Sequence, residues 1–205
     1  MCGRFSQTLP WSELVALYGI TEAPPPAIPP RRNIAPTDTI AIVRRPRGGE
    51  GRELAHARWG LIPPWAKDLT FGRRTFNARA ETVDVKPSFR QAFRARRCLI
   101  VADGFYEWQG EPGRKTKYFI TGAGRRSLAF AGLWEHWRSP EGEAIESATI
   151  IVTAANATIA PIHERMPVIL DPPQFETWLD PATDVVRAKA MLVPYAGTLA
   201  VRALP

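Results

Sequence analysis

The sequence predicts an α+β domain, mainly antiparallel β, either barrel-like or built as two packed sheets with a few flanking helices. Three features carry this. Short apolar runs rich in β-branched and aromatic residues recur at close intervals, Gly-containing turn signals separate them, and few segments show helical periodicity. No repeat, low-complexity tail or linker divides the chain, so residues 1–205 are expected to form one domain, long enough to bury a real core.

Taken in order, Thr8–Tyr18 reads as a short amphipathic helix with Trp11, Leu14, Val15 and Tyr18 on one face and Gly19 stopping it. Pro24 to Pro30 excludes regular structure and runs extended into Asn33-Ile34-Ala35-Pro36. Strands are expected at Thr39–Val43, Leu54–Trp59, Cys98–Ala102, Phe105–Gln109, Tyr118–Ile120, Leu128–Trp134, Thr149–Thr153, Val168–Leu170 and Leu199–Arg202. Gly48-Gly49, Asp103-Gly104, Gly110 to Gly113 and Gly122 to Gly124 supply turns between them. Ser88 is placed to cap a helix running through Arg96, and Pro172 to Leu179 and Asp184 to Met191 read as two more.

Composition narrows the function classes. The balance of 45% apolar and 23% charged residues is that of a soluble globular protein. No apolar run is long enough to span a bilayer, the first twenty residues lack a signal-peptide core, and two cysteines give no disulfide framework. A cytoplasmic, nucleoid-associated protein with no membrane partner is expected. The net charge of +7 arises from 27 Lys+Arg against 20 Asp+Glu. Arginines gather at Arg31-Arg32, Arg44 to Arg47, Arg73-Arg74 and Arg94 to Arg97 with tryptophans among them, a pattern suited to single-stranded nucleic acid: cations for phosphate, flat rings for unpaired bases.

The chemistry-bearing positions are few. Cys2 follows Met1 directly, and a small second residue usually licenses removal of the methionine. Cys2 would then carry a thiol and a free α-amine on adjacent carbons, with reference pKa values of about 8.5 and about 8. Such a 1,2-aminothiol condenses with an aldehyde to an imine and closes to a thiazolidine, which no internal cysteine can do. Glu107 lies in a strand where period-2 alternation puts it on one face with Phe105, so partial desolvation would raise its pKa and suit it to acid/base work. His163 sits in a proline-bounded loop, Pro161 to Pro167. With no CxxC, and with His56, His136 and His163 the only imidazoles, no metal site and no cofactor are expected.

Seven segments, in order, resemble the SOS-response-associated peptidase (SRAP) family of abasic-site processing proteins. They are Met1 to Phe5, Asn33 to Pro36, Trp59 to Pro63, Asn77 to Thr82, Asp103 to Trp108, Ile151 to Ala155 and His163 to Pro167, so the resemblance covers Met1 to about Leu179. It implies that Cys2, released by self-removal of Met1, forms a thiazolidine with the ring-opened aldehyde of an abasic site in single-stranded DNA. It further implies that Asn77 holds the α-amine or sugar, Glu107 shuttles protons in ring closure and reversal, and His163 assists opening of the deoxyribose. Arg4, Arg79 and Arg165 would grip phosphates, Asn33 and Pro36 would line the channel, and Trp65 would stack on or wedge beside a base. Peptidase and lyase-type activity and a monomeric state are expected with it. Two local departures stand out: Ala66, where some relatives carry a second aromatic, and the long basic stretch Lys67–Arg74. The alternatives are an N-terminal-nucleophile amidohydrolase, which also begins Met-Cys-Gly but needs glutamine-binding motifs absent here, and a non-catalytic single-strand-binding module.

Overall fold

The computed structural model describes residues 2–111 and 113–205. In chain order the strands are β1 (Phe5–Gln7), β2 (Arg31–Ile34), β3 (Thr39–Arg44), β4 (Glu53–Trp59), β5 (Asn77–Arg79), β6 (Arg97–Ala102), β7 (Gly104–Gln109), β8 (Thr116–Gly122), β9 (Leu128–Arg138), β10 (Ala144–Ala154), β11 (Arg165–Pro167), β12 (Ile169–Leu170) and β13 (Leu199–Leu204). The helices are α1 (Trp11–Tyr18), α2 (Arg90–Ala95), α3 (Phe175–Leu179) and α4 (Val185–Ala190).

Five strands close on themselves in the order β10-β4-β3-β6-β9, the ring being completed by the β9–β10 pairing. Only the β4–β10 contact in this ring is parallel. A barrel has no edges to leave unpaired, and alternate residues of each strand must fill its interior. Ile40, Ile42, Ala57, Trp59, Cys98, Ile100, Phe130, Trp134, Ala148 and Ile150 do so, forming one buried cluster drawn from all five strands. The opposite faces of the same strands, including Val43, Leu99, Ala131 and Ile151, pack beneath the helices in a second cluster with Leu14, Phe93, Phe175 and Trp178. The second sheet, ordered β13-β8-β7-β1-β2, stands at the mouth formed by Trp59, Ala102 and Val152, where its Phe5, Ile34, Phe105 and Ile120 join the barrel interior.

Several expectations need correction. Asp103-Gly104 does not close a hairpin: β6 belongs to the barrel and β7 to the second sheet, so the chain changes sheets there, and Asp103 accepts hydrogen bonds from Ser6 Oγ and from the Thr8 amide at 2.8 Å. Gly122 to Gly124 likewise links strands of different sheets. Ser88 does not cap α2, whose N-cap position is Phe89 with no side-chain hydrogen bond; the helix is held by its buried Ala92 and Phe93 instead. Asp184 does cap α4, its carboxylate accepting a hydrogen bond from the Arg187 amide at 2.9 Å. Arg97 is not a surface cation. Its buried guanidinium donates to the carbonyls of Phe93 and Trp178, both at 2.7 Å, and of Asp180.

The loop between β4 and β5 is clamped by an approach too close for side chains. A Cβ on Gly60, where φ is 133°, would lie 2.3 Å from the Gly72 carbonyl oxygen. Gly60→Ala should therefore lower stability by about 2 kcal/mol or more. Urea unfolding of the variant checks this, and an unchanged midpoint would mean the loop yields easily.

Candidate active site

β1 threads between β2 and β7, pairing Phe5 with Phe105 and with Ile34. The Tyr106 amide donates to the Arg4 carbonyl at 2.9 Å, continuing this pairing toward the N-terminus and carrying Cys2 alongside β7. Cys2 is fully buried, and its thiol lies 3.8 Å from the Arg4 carbonyl oxygen. Asn77 Nδ2 donates to the Cys2 carbonyl at 2.9 Å, which fixes the backbone of the residue expected to react. Asn77 Oδ1 is buried and has no hydrogen-bond partner among the described residues. It is a buried acceptor with capacity for an N–H.

Glu107 is 3% exposed and shares the face of Phe105, as the alternation predicts. Burial raises its carboxyl to a pKa of about 7, so both protonation states are populated near neutrality. Burial also raises the Cys2 thiol well above its usual value, and the negative charge of Glu107 pushes in the same direction. The charge of Glu107 thus opposes ionisation of the Cys2 thiol, which holds its proton at rest.

His163 closes a turn in which its amide donates to the Ile159 carbonyl at 3.0 Å. Gln109 Nε2 donates to the Pro161 carbonyl at 2.6 Å, tying this loop to the end of β7 two residues past Glu107. The Arg165 amide donates to His163 Nδ1 at 2.9 Å. The same nitrogen lies 3.2 Å from the Arg165 carbonyl oxygen, so Nδ1 accepts from the amide in one tautomer and donates to the carbonyl in the other. Burial holds the ring's pKa below its ordinary value, which favours the neutral form. β5 and β11 flank β10 on either side, with Arg79 and Pro167 both opposite Val152, and so bring the Asn77 and His163 segments together.

Arg165 forms an ion pair with Glu81. Burial is the largest single influence on Glu81 and works against its ionisation, but the Arg165 hydrogen bond, a backbone hydrogen bond and the charges of Arg165 and Arg79 together outweigh it and hold the carboxyl below its usual range. Two of the three arginines expected at phosphates therefore converge on one carboxylate, a partner that sequence reasoning missed although Glu81 lies inside the segment it singled out. Arg4 stands half-buried, its guanidinium donating to the Gly3 carbonyl at 3.1 Å. Asn33 is exposed on β2 at the sheet edge, and Pro36 is half-buried in the turn beyond it. Trp65 is 55% exposed on the separate clamped loop, edge-on to Phe71 with ring centroids 5.0 Å apart. Arg74 lies 4.4 Å over the Phe71 ring, and Lys67 and Arg73 complete the basic lining of a cavity of about 480 Å³. Phe71 is an aromatic neighbour to Trp65 reached through a 3-10 turn, Leu69–Arg74, where Ala66 offers none.

The SRAP family profile, described as "SOS response associated peptidase", matches residues 1–204. The chain belongs to this family. A relative named abasic site processing protein YoqW from Bacillus subtilis (strain 168) is 40% identical over 198 residues, covering 95% of this chain and 88% of that protein. Abasic site processing protein HMCES of Gallus gallus is 35% identical over 173 residues, 73% of this chain and 52% of that one. Among solved structures, a Bordetella bronchiseptica protein superposes with a TM-score of 0.86 at 28% identity over the whole of both chains, and a Bacteroides thetaiotaomicron protein with 0.89 at 25% identity over all of this chain and 92% of that one.

The folded protein binds the Glu107 proton more tightly than the unfolded chain, whose carboxyl titrates near 4.5. This stabilisation is complete below about pH 4.5 and is lost as pH rises through about 7. Glu107→Gln should consequently be more stable than the parent at pH 8, by roughly 2 kcal/mol, with the gap closing at pH 5. Denaturation midpoints at the two pH values decide it, and a gap independent of pH would deny the raised pKa.

Proposed function

We propose that this protein processes abasic sites in single-stranded DNA by crosslinking to them through Cys2. The observation that carries the proposal is the burial of Cys2 against Asn77 and under the charge of Glu107, within a family whose curated relatives are named abasic site processing proteins. The expected removal of Met1, which lies outside the described residues, frees the α-amine and makes the protein a self-processing peptidase.

The amine then attacks C1′ of the ring-opened sugar, and water leaves to give an imine. The thiol sulfur adds to the imine carbon, its proton passing to the new ring nitrogen by way of Glu107, and a five-membered thiazolidine results. Asn77 Oδ1 receives an N–H of the attacking amine, which orients its lone pair. His163, in the tautomer that carries its proton on Nε2, donates to the sugar ring oxygen and so assists ring opening. The same groups in reverse order, with water returning to the imine carbon, release the adduct, while loss of a C2′ proton from the imine with departure of the 3′ phosphate gives lyase-type strand scission. Arg4, Arg79 and Arg165 take phosphates around the lesion, with Asn33 and Pro36 along the strand and Trp65 against a base.

Incubation with abasic single-stranded DNA should give a heat-stable adduct and no ammonia from glutamine; ammonia without an adduct would favour an amidohydrolase. Cys2→Ser should abolish the stable adduct while leaving an imine trappable by borohydride. Cys98→Ser should crosslink normally, since Cys98 is a core thiol whose pKa burial raises beyond use. A folded Cys98→Ser protein without crosslinking would overturn the assignment of the nucleophile.

The Arg165–Glu81 pair generates a further expectation. Arg79→Ala should weaken binding of undamaged single strands at all sequences alike and lower the log–log salt slope by about 0.7. Glu81→Gln should act oppositely, tightening binding severalfold, because it releases Arg165 from a competing carboxylate. Fluorescence anisotropy across a salt series measures both, and weaker binding by Glu81→Gln would mean that the pair orients Arg165 rather than restraining it.

A further inference from the structure

The barrel has a second mouth, and nothing in the chemistry above uses it. β3, β4, β6, β9 and β10 run from the Cys2 mouth to the opposite one, marked by Arg44, Glu53, Arg97, Trp134 and Glu146. Five steps of β6, from Ala102 to Arg97, separate the two mouths by roughly 17 Å. Trp134 plugs the second mouth. The Arg44 guanidinium lies 4.0 Å from its ring centroid and that of Arg47 lies 5.1 Å away.

Above this plug is a cavity of about 500 Å³ between the tip of the β3–β4 hairpin and the start of β6. Arg45, Arg47 and Arg96 line it as cations, against one carboxylate among the described residues, Glu135; Arg97 borders it too, but its buried guanidinium is spent on main-chain carbonyls. Each guanidinium is held before any ligand arrives. Arg96 is paired with Glu135 at 2.6 Å, Arg45 with Glu176, Arg47 with Glu146 at 3.7 Å and over Trp134, and Arg97 with main-chain carbonyls alone. Glu146 and Glu176 pair with two of these cations without lining the cavity. Unsatisfied buried atoms also gather here: Nε of Arg45, Nε of Arg96 and Nδ1 of His136 have no hydrogen-bond partner among the described residues.

Guanidinium groups fixed in a concave site at a barrel mouth are what a phosphate needs, since planar forks match its oxygens and little side-chain entropy remains to be lost. We propose that this second mouth is a binding site for one phosphate group, separate from the Cys2 site. Its source is either a phosphodiester of a nucleic-acid strand or a free phosphate compound, and the two are separable by experiment.

The first arm titrates the protein with inorganic phosphate and follows the Trp134 indole and Gly48 amide by NMR, with sodium chloride at matched ionic strength as control. Saturable shifts confined to this mouth are expected, weakened about tenfold in Arg47→Ala and unchanged in Arg73→Ala, which alters the Trp65 cavity instead. Shifts reproduced by chloride, shifts that do not saturate, or an Arg47→Ala protein with parental affinity would each overturn the site. Arg47 is 55% exposed in its side chain, so its loss should not unfold the protein. The second arm measures the salt dependence of undamaged single-strand binding. A slope lowered by about 0.7 in Arg47→Ala assigns the phosphate to nucleic acid. An unchanged slope beside the saturable phosphate titration assigns it to a free compound. Neither arm involves abasic DNA or Cys2, so failure here and failure of the crosslinking proposal are distinguishable.

Discussion

The three residues of β1 hold this molecule's chemistry in place. Chain termini normally fray, because a terminal segment gives up its entropy and gains few contacts. Here Phe5 is wholly buried, edge-on to Trp59 at 4.9 Å and to Phe130 at 6.1 Å between centroids, inside the mouth of the barrel. Burying a phenylalanine side chain is worth about 2 to 3 kcal/mol, and the flanking pairings to β2 and β7 satisfy the backbone groups that would otherwise need water. Three residues upstream of such an anchor, Cys2 has little freedom left. Cys2, near the start of the chain, is therefore positioned by the core and not by a loop.

That placement sets the electrostatics. A thiol, a carboxyl and an imidazole all lose hydration at one end of a hydrophobic barrel, and each is pushed toward its neutral form: Cys2 and Glu107 upward, His163 downward. The three neutral groups differ in what they offer. The carboxyl, with a pKa of about 7, changes protonation state near neutrality, the thiol holds its proton, and Nδ1 of the imidazole lies within reach of both the amide and the carbonyl of Arg165.

Legibility of the fold in the sequence tracked how local its causes were. α1 was readable because its apolar face and the left-handed Gly19 that ends it lie within nine residues, and the β3–β4 hairpin because Gly48 sits at its tip with φ 71°. β9 and β10 run well past the expected segments. Their extensions carry Glu135, His136, Glu146 and Ser147, polar residues whose partners come from elsewhere: Arg96 for Glu135, and the Ile62 amide, which donates to Ser147 Oγ at 2.8 Å. β1, β5 and β11 are three residues each, too short for any periodicity, and exist because a neighbouring strand was already there. The same limit applied to the site. Asn77 and Glu107 stood out as polar residues in apolar surroundings, whereas the Glu81–Arg165 pair and the Gln109–Pro161 tie are tertiary contacts that no spacing encodes.

The basic residues, finally, do not act as one surface. Net charge alone suggests a uniform attraction for polyanions, yet the arginines divide by what holds them. Arg97 and Arg44 are buried: Arg97 donates to carbonyls near the helix ends, and Arg44 lies over Trp134 between Glu53 at 2.6 Å and Glu146 at 2.8 Å. Arg165 and Arg79 converge on Glu81 beside the Cys2 mouth, and Lys67, Arg73 and Arg74 surround Trp65. A guanidinium already tied to carbonyls contributes far less to counterion release than one facing solvent, because a phosphate cannot displace those bonds without cost. The salt dependence of DNA binding should accordingly reflect the handful of cations around Cys2 and Trp65 rather than the formal excess of positive charge, which is why single substitutions at Arg79 and Arg165 are informative and substitution at Arg97 would report mainly on folding.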